Sequence, residues 1–82
     1  MKEHRLKIQE KYFTDIMAFE KKFELRKNDR DYKVGDLLCL SAYQGEKPLG
    51  KYIEARITYI LKDVPGLQDG YAILGFKELK QK

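Results

Sequence analysis

A single cysteine leaves this chain without an internal disulfide, and together with the single histidine it cannot build a zinc site of the usual ligand types. A reducing compartment is therefore expected. No run approaches the roughly 20 apolar residues of a membrane span. The start, from Met1 to Lys7, lacks the apolar core of a secretory signal, so the expected location is cytoplasmic. Gly66 and Gly70 are not followed by Lys-Ser or Lys-Thr, so they are read as turn glycines and not as a phosphate loop. Asp29, Asp31 and Asp36 lack the spacing and the closing Glu of a calcium loop, and are read as solvated loop charge. Cys39 lies in the most apolar stretch and is read as a small buried hydrophobe. His4 is read as a polar strand residue, with no nucleophile beside it. No repeat or low-complexity segment is present, and no cofactor is expected.

What is present suffices for one small domain spanning residues 1–82. Hydrophobic residues make up 43% and include six Tyr and four Phe, enough for a core, while the 37% of charged residues is mixed in sign. The net charge of +4 favours polyanionic partners, RNA or DNA above all. It is unevenly spread. Residues Lys21 to Arg30 hold five basic and two acidic side chains, hence +3 of that +4.

Periodicity gives the elements. Leu6 and Ile8 alternate with charged neighbours in a first strand over His4 to Gln9. From Glu10 to about Glu20 the spacing of Tyr12, Ile16 and Phe19 predicts an amphipathic helix, with Phe13 and Met17 beside that face. Phe23 and Leu25 then alternate with Glu24 and Arg26, predicting a strand whose apolar pair faces the core and whose charged pair faces out. Asn28 and Asp29 end it in a loop. Leu37 to Tyr43 is apolar on both parities, as in a strand covered on both sides. A loop is expected over Gln44 to Gly50.

Tyr52 to Leu61 reads as the longest strand, with Ile53, Ala55, Ile57, Tyr59 and Leu61 on the inward face. After a turn at Pro65-Gly66 comes a last strand over Tyr71 to Phe76, in which Gly75 marks a bulge or a close approach. A fraying tail over Lys77 to Lys82 follows. One helix after the first strand and about five strands indicate an α+β, mainly β fold, a small bent sheet closing into a barrel.

Lys21, Glu24 and Arg26 are the residues best placed for chemistry, because a guanidinium holds carboxylate or phosphate through a forked pair of hydrogen bonds. The plainer alternative is a surface strand decorated with ion pairs. The order Lys21-x-x-Glu24-x-Arg26, after a helix and before Val34-Gly35-Asp36 and an apolar strand, resembles the ASCH domain of the PUA-like superfamily. The fuller run from Phe23 to Asp36, with Ile57 to Leu61 and Gly66-Leu67-x-x-Gly70-Tyr71, looks like a small bacterial and phage branch of unknown function within it. The resemblance covers about residues 4–76.

That resemblance implies a PUA-like β-barrel with a cleft between helix and barrel, lined by Lys21, Glu24 and Arg26. Phe19 stands where that family has Gly, a change expected to narrow the cleft or alter the helix end. In hydrolase relatives a nucleophilic Thr stands at the position of Glu24.

The leading expectation is an RNA or other nucleic-acid binding module. Lys21, Arg26, Lys27 and Arg30 would meet phosphate, Asn28 or Glu24 would read a base edge, and Tyr32 and Tyr43 would stack if exposed. Tyr59, by its parity, is expected in ordinary barrel packing. The alternative is a small amidohydrolase-like enzyme acting on a modified nucleoside or nucleotide, with Lys21 as general base or electrostatic stabiliser, Glu24 as acid or base and Arg26 as anion clamp. A third possibility is a protein-interaction module. No membrane partner is expected.

Overall fold

The computed structural model describes residues 1–81. The chain runs β1 (Glu3–Gln9), α1 (Glu10–Met17), β2 (Phe23–Lys27), β3 (Leu37–Gln44), β4 (Lys47–Leu61) and β5 (Tyr71–Gln81). The five strands form one sheet in the order β1-β3-β4-β5-β2, curled into a half-barrel with the short helix as its only α element among the described residues. β1 runs parallel to β3, and every other neighbouring pair is antiparallel. That helix is too short to cross a membrane.

The sheet curls because its concave face carries the apolar parity. His4, Leu6 and Ile8 on β1 are buried, as are Leu38 and Leu40 on β3, Ile53, Ala55 and Ile57 on β4, and Ala72, Leu74 and Phe76 on β5. Each large aliphatic side chain removed from water contributes about 1.5–3 kcal/mol. Phe13 and Ile16 of the helix complete the core, with Met17 partly buried beside them. The helix therefore buries a stripe one residue out of phase with the expected one: Tyr12 and Phe19 are exposed. It also ends earlier, at Met17, and Ala18 caps it. Phe19 takes the left-handed conformation (φ 60°) that usually falls to glycine after a helix, and its N–H bonds to the Ile16 carbonyl.

Several boundaries differ from the sequence expectation. The turn before β4 shrinks to Gly45 and Glu46, since Gln44 already pairs with Lys47 and Tyr43 with Pro48. The strand passes through Gly50 because that residue has a positive φ of 75°, beside a register shift between Ser41 and Tyr43. A second shift between Ile57 and Tyr59 reverses the parity of the end of β4. Tyr59 and Leu61 consequently point outward and Ile60 packs on the core, so Tyr59 is not a barrel-packing residue. Gly75 lies opposite Tyr59 at this bulge, in agreement with the expectation. The segment expected to fray continues as β5 to Gln81, which pairs with Ile53; Lys82 lies outside the described residues.

Candidate functional site

The largest departure from the sequence reading is in β2. Alternation supplies a period and not a phase, and the phase is opposite to the expected one: Phe23 and Leu25 are half exposed, while Glu24 is buried and Arg26 half-buried. Register explains this. Glu24 lies opposite Leu74 and Arg26 opposite Ala72, both on the concave face. Ala72 is small enough to leave room for the longer side chain opposite. The apolar pair Phe23 and Leu25 instead joins Gly75 and Ile73 on the convex face.

The result is an inward cluster of three charges. Lys21 Nζ lies 2.6 Å from Glu24 Oε1 and donates to the Phe23 carbonyl, also at 2.6 Å. Arg26 Nε lies 3.3 Å from Glu24 Oε2. It is buried but misdirected for a hydrogen bond, so it keeps an unspent donor. The Lys21 ammonium also sits 5.5 Å from the centre of the Tyr12 ring and 5.1 Å from that of Phe23. Tyr12, Lys21, Phe23, Glu24 and Leu25 line a cleft of about 370 Å³ between α1 and β2. Phe19 projects into solvent at the helix end and does not line that cleft.

Arg26 and Arg30 have a second duty. The two edge strands, β1 and β2, are not paired with each other, and the guanidinium groups of Arg26 on β2 and Arg30 in the loop after it reach across to β1. Arg26 Nη2 donates to the Lys7 carbonyl, and Arg30 Nη1 to the Arg5 carbonyl at 2.7 Å. Lys27 ends β2 on the convex face, opposite Tyr71, and is exposed. The Asn28 N–H bonds to the Gly70 carbonyl at 2.7 Å and fixes the end of the β2–β5 pairing.

The two stacking candidates fall elsewhere. Tyr32 is buried, edge-on to His4 with ring centres 4.7 Å apart, so no base can stack on it. Burial raises its phenol pKa, while Arg30 and Arg26 pull it down more weakly. Tyr43 is half-buried on β3, with the Lys7 ammonium 5.1 Å from its ring centre, and does not line the cleft.

A second polar cluster reverses two further expectations. Asp36 is buried and not solvated, and His4 is its partner. His4 Nε2 lies 2.8 Å from Asp36 Oδ2, which also accepts the Lys33 N–H; Oδ1 accepts the Lys2 N–H, each at 3.1 Å. The His4 hydrogen bond leads in lowering the carboxyl to about 2; burial opposes it and the two amides assist. No gap in the alternation of β1 distinguishes His4 from its neighbours, although its even parity, shared with Leu6 and Ile8, was a usable sign. Cys39 is buried as expected. No cluster of potential metal ligands is found among the described residues.

Sequence comparison finds similarity to a phage protein. The chain is similar to "Uncharacterized 12.9 kDa protein in GpA 3'region" of Escherichia phage P2, with 40% identity over 66 residues. The match covers 80% of this chain and 57% of that protein, so this chain spans somewhat more than half the relative's length. Residues 3–76, which hold the helix, the cleft and both polar clusters, match a family model, and the chain belongs to the family described as Domain of unknown function (DUF3850).

Proposed function

We propose that the protein binds single-stranded nucleic acid, RNA first, by seating a base in the cleft between α1 and β2. One observation carries this reading: the part-buried Lys21–Glu24 pair lies in a cleft that also presents the aromatic side chains Tyr12 and Phe23. A planar base gains stacking from such rings, and its polar edge needs both a donor and an acceptor. Lys21 supplies the donor and Glu24 the acceptor. Lys21 and Arg26 outweigh Glu24 by one positive charge, and exposed Lys27 and Arg30 extend the basic field for phosphate.

The half-barrel, the helix after β1 and the joint placement of Lys21, Glu24 and Arg26 support a PUA-like, ASCH-type reading of the fold. So does Phe19, whose left-handed backbone suits the position where that family has Gly. The amidohydrolase-like alternative is less well supported. Both oxygens of Glu24 lie against cations, and no serine, threonine or cysteine is among the residues lining the cleft.

The test is a titration of wild type, Lys21→Met and Tyr12→Ala against labelled single-stranded RNA, duplex RNA and single-stranded DNA at two salt concentrations. Salt-sensitive binding by wild type, weakened about tenfold in each variant, is the expected result. Equal binding by all three proteins would remove the cleft from consideration.

A further inference from the structure

The convex face of the sheet, on the far side of β2 from the charge cluster, is organised in rungs. Register places Tyr59, Gly75 and Phe23 side by side across β4, β5 and β2, and places Leu61, Ile73 and Leu25 in the next rung. Tyr59 is 64% exposed and Phe23 50%, with Leu25 and Leu61 also open to solvent. Beyond the aromatic rung, Arg56 lies opposite Lys77, both exposed; beyond the aliphatic one stand Tyr71 and exposed Lys27. Like charges directly opposite each other on a sheet are unfavourable. Neither Arg56 nor Lys77 has a carboxylate partner among the described residues.

Gly75 is the informative residue. Its φ is not in the left-handed region, and a Cβ built on it would meet Tyr59 Cβ at 3.4 Å, an ordinary van der Waals contact. The backbone therefore does not demand glycine at this position. Glycine leaves the middle strand of the rung without a side chain, with Tyr59 Cβ and Thr58 Oγ1 at 3.4 and 3.8 Å from where a Cβ would stand, and no ring contact joins Phe23 to Tyr59 among the described residues. Adjacent strands are about 4.8 Å apart, so Phe23 and Tyr59 rise from strands separated by roughly 10 Å. A planar ring seated between two others needs about 7–8 Å, at carbon contacts of about 3.5–4 Å. That strand spacing is compatible with one flat ring between the two side chains.

We infer that this convex face is a second nucleotide site, in which a base of a single strand enters between Phe23 and Tyr59 over Gly75 and its flanking phosphates meet Arg56 and Lys77. The inference rests on the nucleic-acid reading and extends it to a second face; Phe23, which also borders the cleft, stands where the two sites meet. An acidic peptide would satisfy the cations but leave the slot unused. A second copy of the chain would bring Arg56, Lys77 and Lys27 against an identical cationic face.

The experiment is fluorescence anisotropy with labelled oligouridylate of about ten nucleotides, using Tyr59→Ser, Tyr59→Trp, Gly75→Val, an Arg56→Ser/Lys77→Ser double variant and the cleft variant Lys21→Met. Circular dichroism melts identify folded variants. Tyr59→Ser and Gly75→Val are expected to weaken binding about tenfold, and Tyr59→Trp to preserve it, because stacking and not the hydroxyl is used. The double variant is expected to flatten the salt dependence.

If only Lys21→Met loses affinity, the convex site is overturned and the cleft stands. If only the convex-face variants lose it, the convex site stands and the cleft reading falls. If wild type does not bind, or binds an oligoglutamate of equal length as tightly, the inference is overturned. Should Gly75→Val fold poorly, the Tyr59→Ser and Tyr59→Trp pair still decides.

Discussion

Two buried carboxylates in this small chain have opposite characters. Asp36 is saturated: His4 and the amides of Lys2 and Lys33 occupy its oxygens. It joins the start of the chain, β1 and the loop before β3, and functions as a lock. Glu24 is buried too, though less completely; it lines the cleft between α1 and β2, and neighbouring Arg26 Nε has no hydrogen-bond partner. Burial of charge alone does not mark a binding site. Unspent hydrogen-bonding capacity beside an accessible cleft is what supports the proposed one.

The sharpest test of this contrast removes each carboxylate in turn. Asp36→Ala strands His4 and two amides and is expected to cost about 3 kcal/mol of stability, read by urea denaturation. Glu24→Gln should cost less, about 1–2 kcal/mol, because Lys21 still reaches the Phe23 carbonyl and Arg26 the Lys7 carbonyl. If the two losses were equal, the distinction between lock and site would collapse.

Acid sharpens the comparison further. Asp36 has a folded pKa of about 2 against an ordinary 3.8, so its contribution is complete above about pH 4. That contribution falls away as pH drops toward 2. A melting series across that window should show a decline in wild type that Asp36→Asn lacks.

A smaller effect concerns the helix end that leads into the cleft. Phe19→Gly relieves a left-handed backbone at an exposed position and should stabilise by about 0.5–1 kcal/mol in thermal melts. The smallest concerns Lys7 and Glu46, 3.9 Å apart in solvent; Glu46→Gln should change stability by less than about 0.5 kcal/mol.

Much of this arrangement was legible beforehand. Strand alternation located β1 and most of β3 and β4, and the family resemblance carried by Lys21, Glu24 and Arg26 implied that they would line one cleft. The phase of β2 was not legible, because Phe23-Glu24-Leu25-Arg26 alternates equally well in either sense. The partner strand decides, through Ala72 and Leu74, and no local pattern contains that information. Tyr59 was misplaced for a related reason: one extra residue after Ile57 reverses every parity beyond it. His4 and Asp36 are 32 positions apart, so only the parallel pairing of β1 with β3 brings them together.

The two guanidinium bridges from Arg26 and Arg30 to the carbonyls of β1 carry a consequence for motion. A closed barrel opens only by breaking a ladder of backbone bonds, whereas this seam is held by side chains that rotate on their own timescale. Amide hydrogens of Arg5 and Lys7 should exchange with deuterium sooner than those of Leu38 or Ile53. The same fluctuation would loosen the cluster around Glu24, so the cleft would breathe with the seam while the central β3–β4 pairing stays shut.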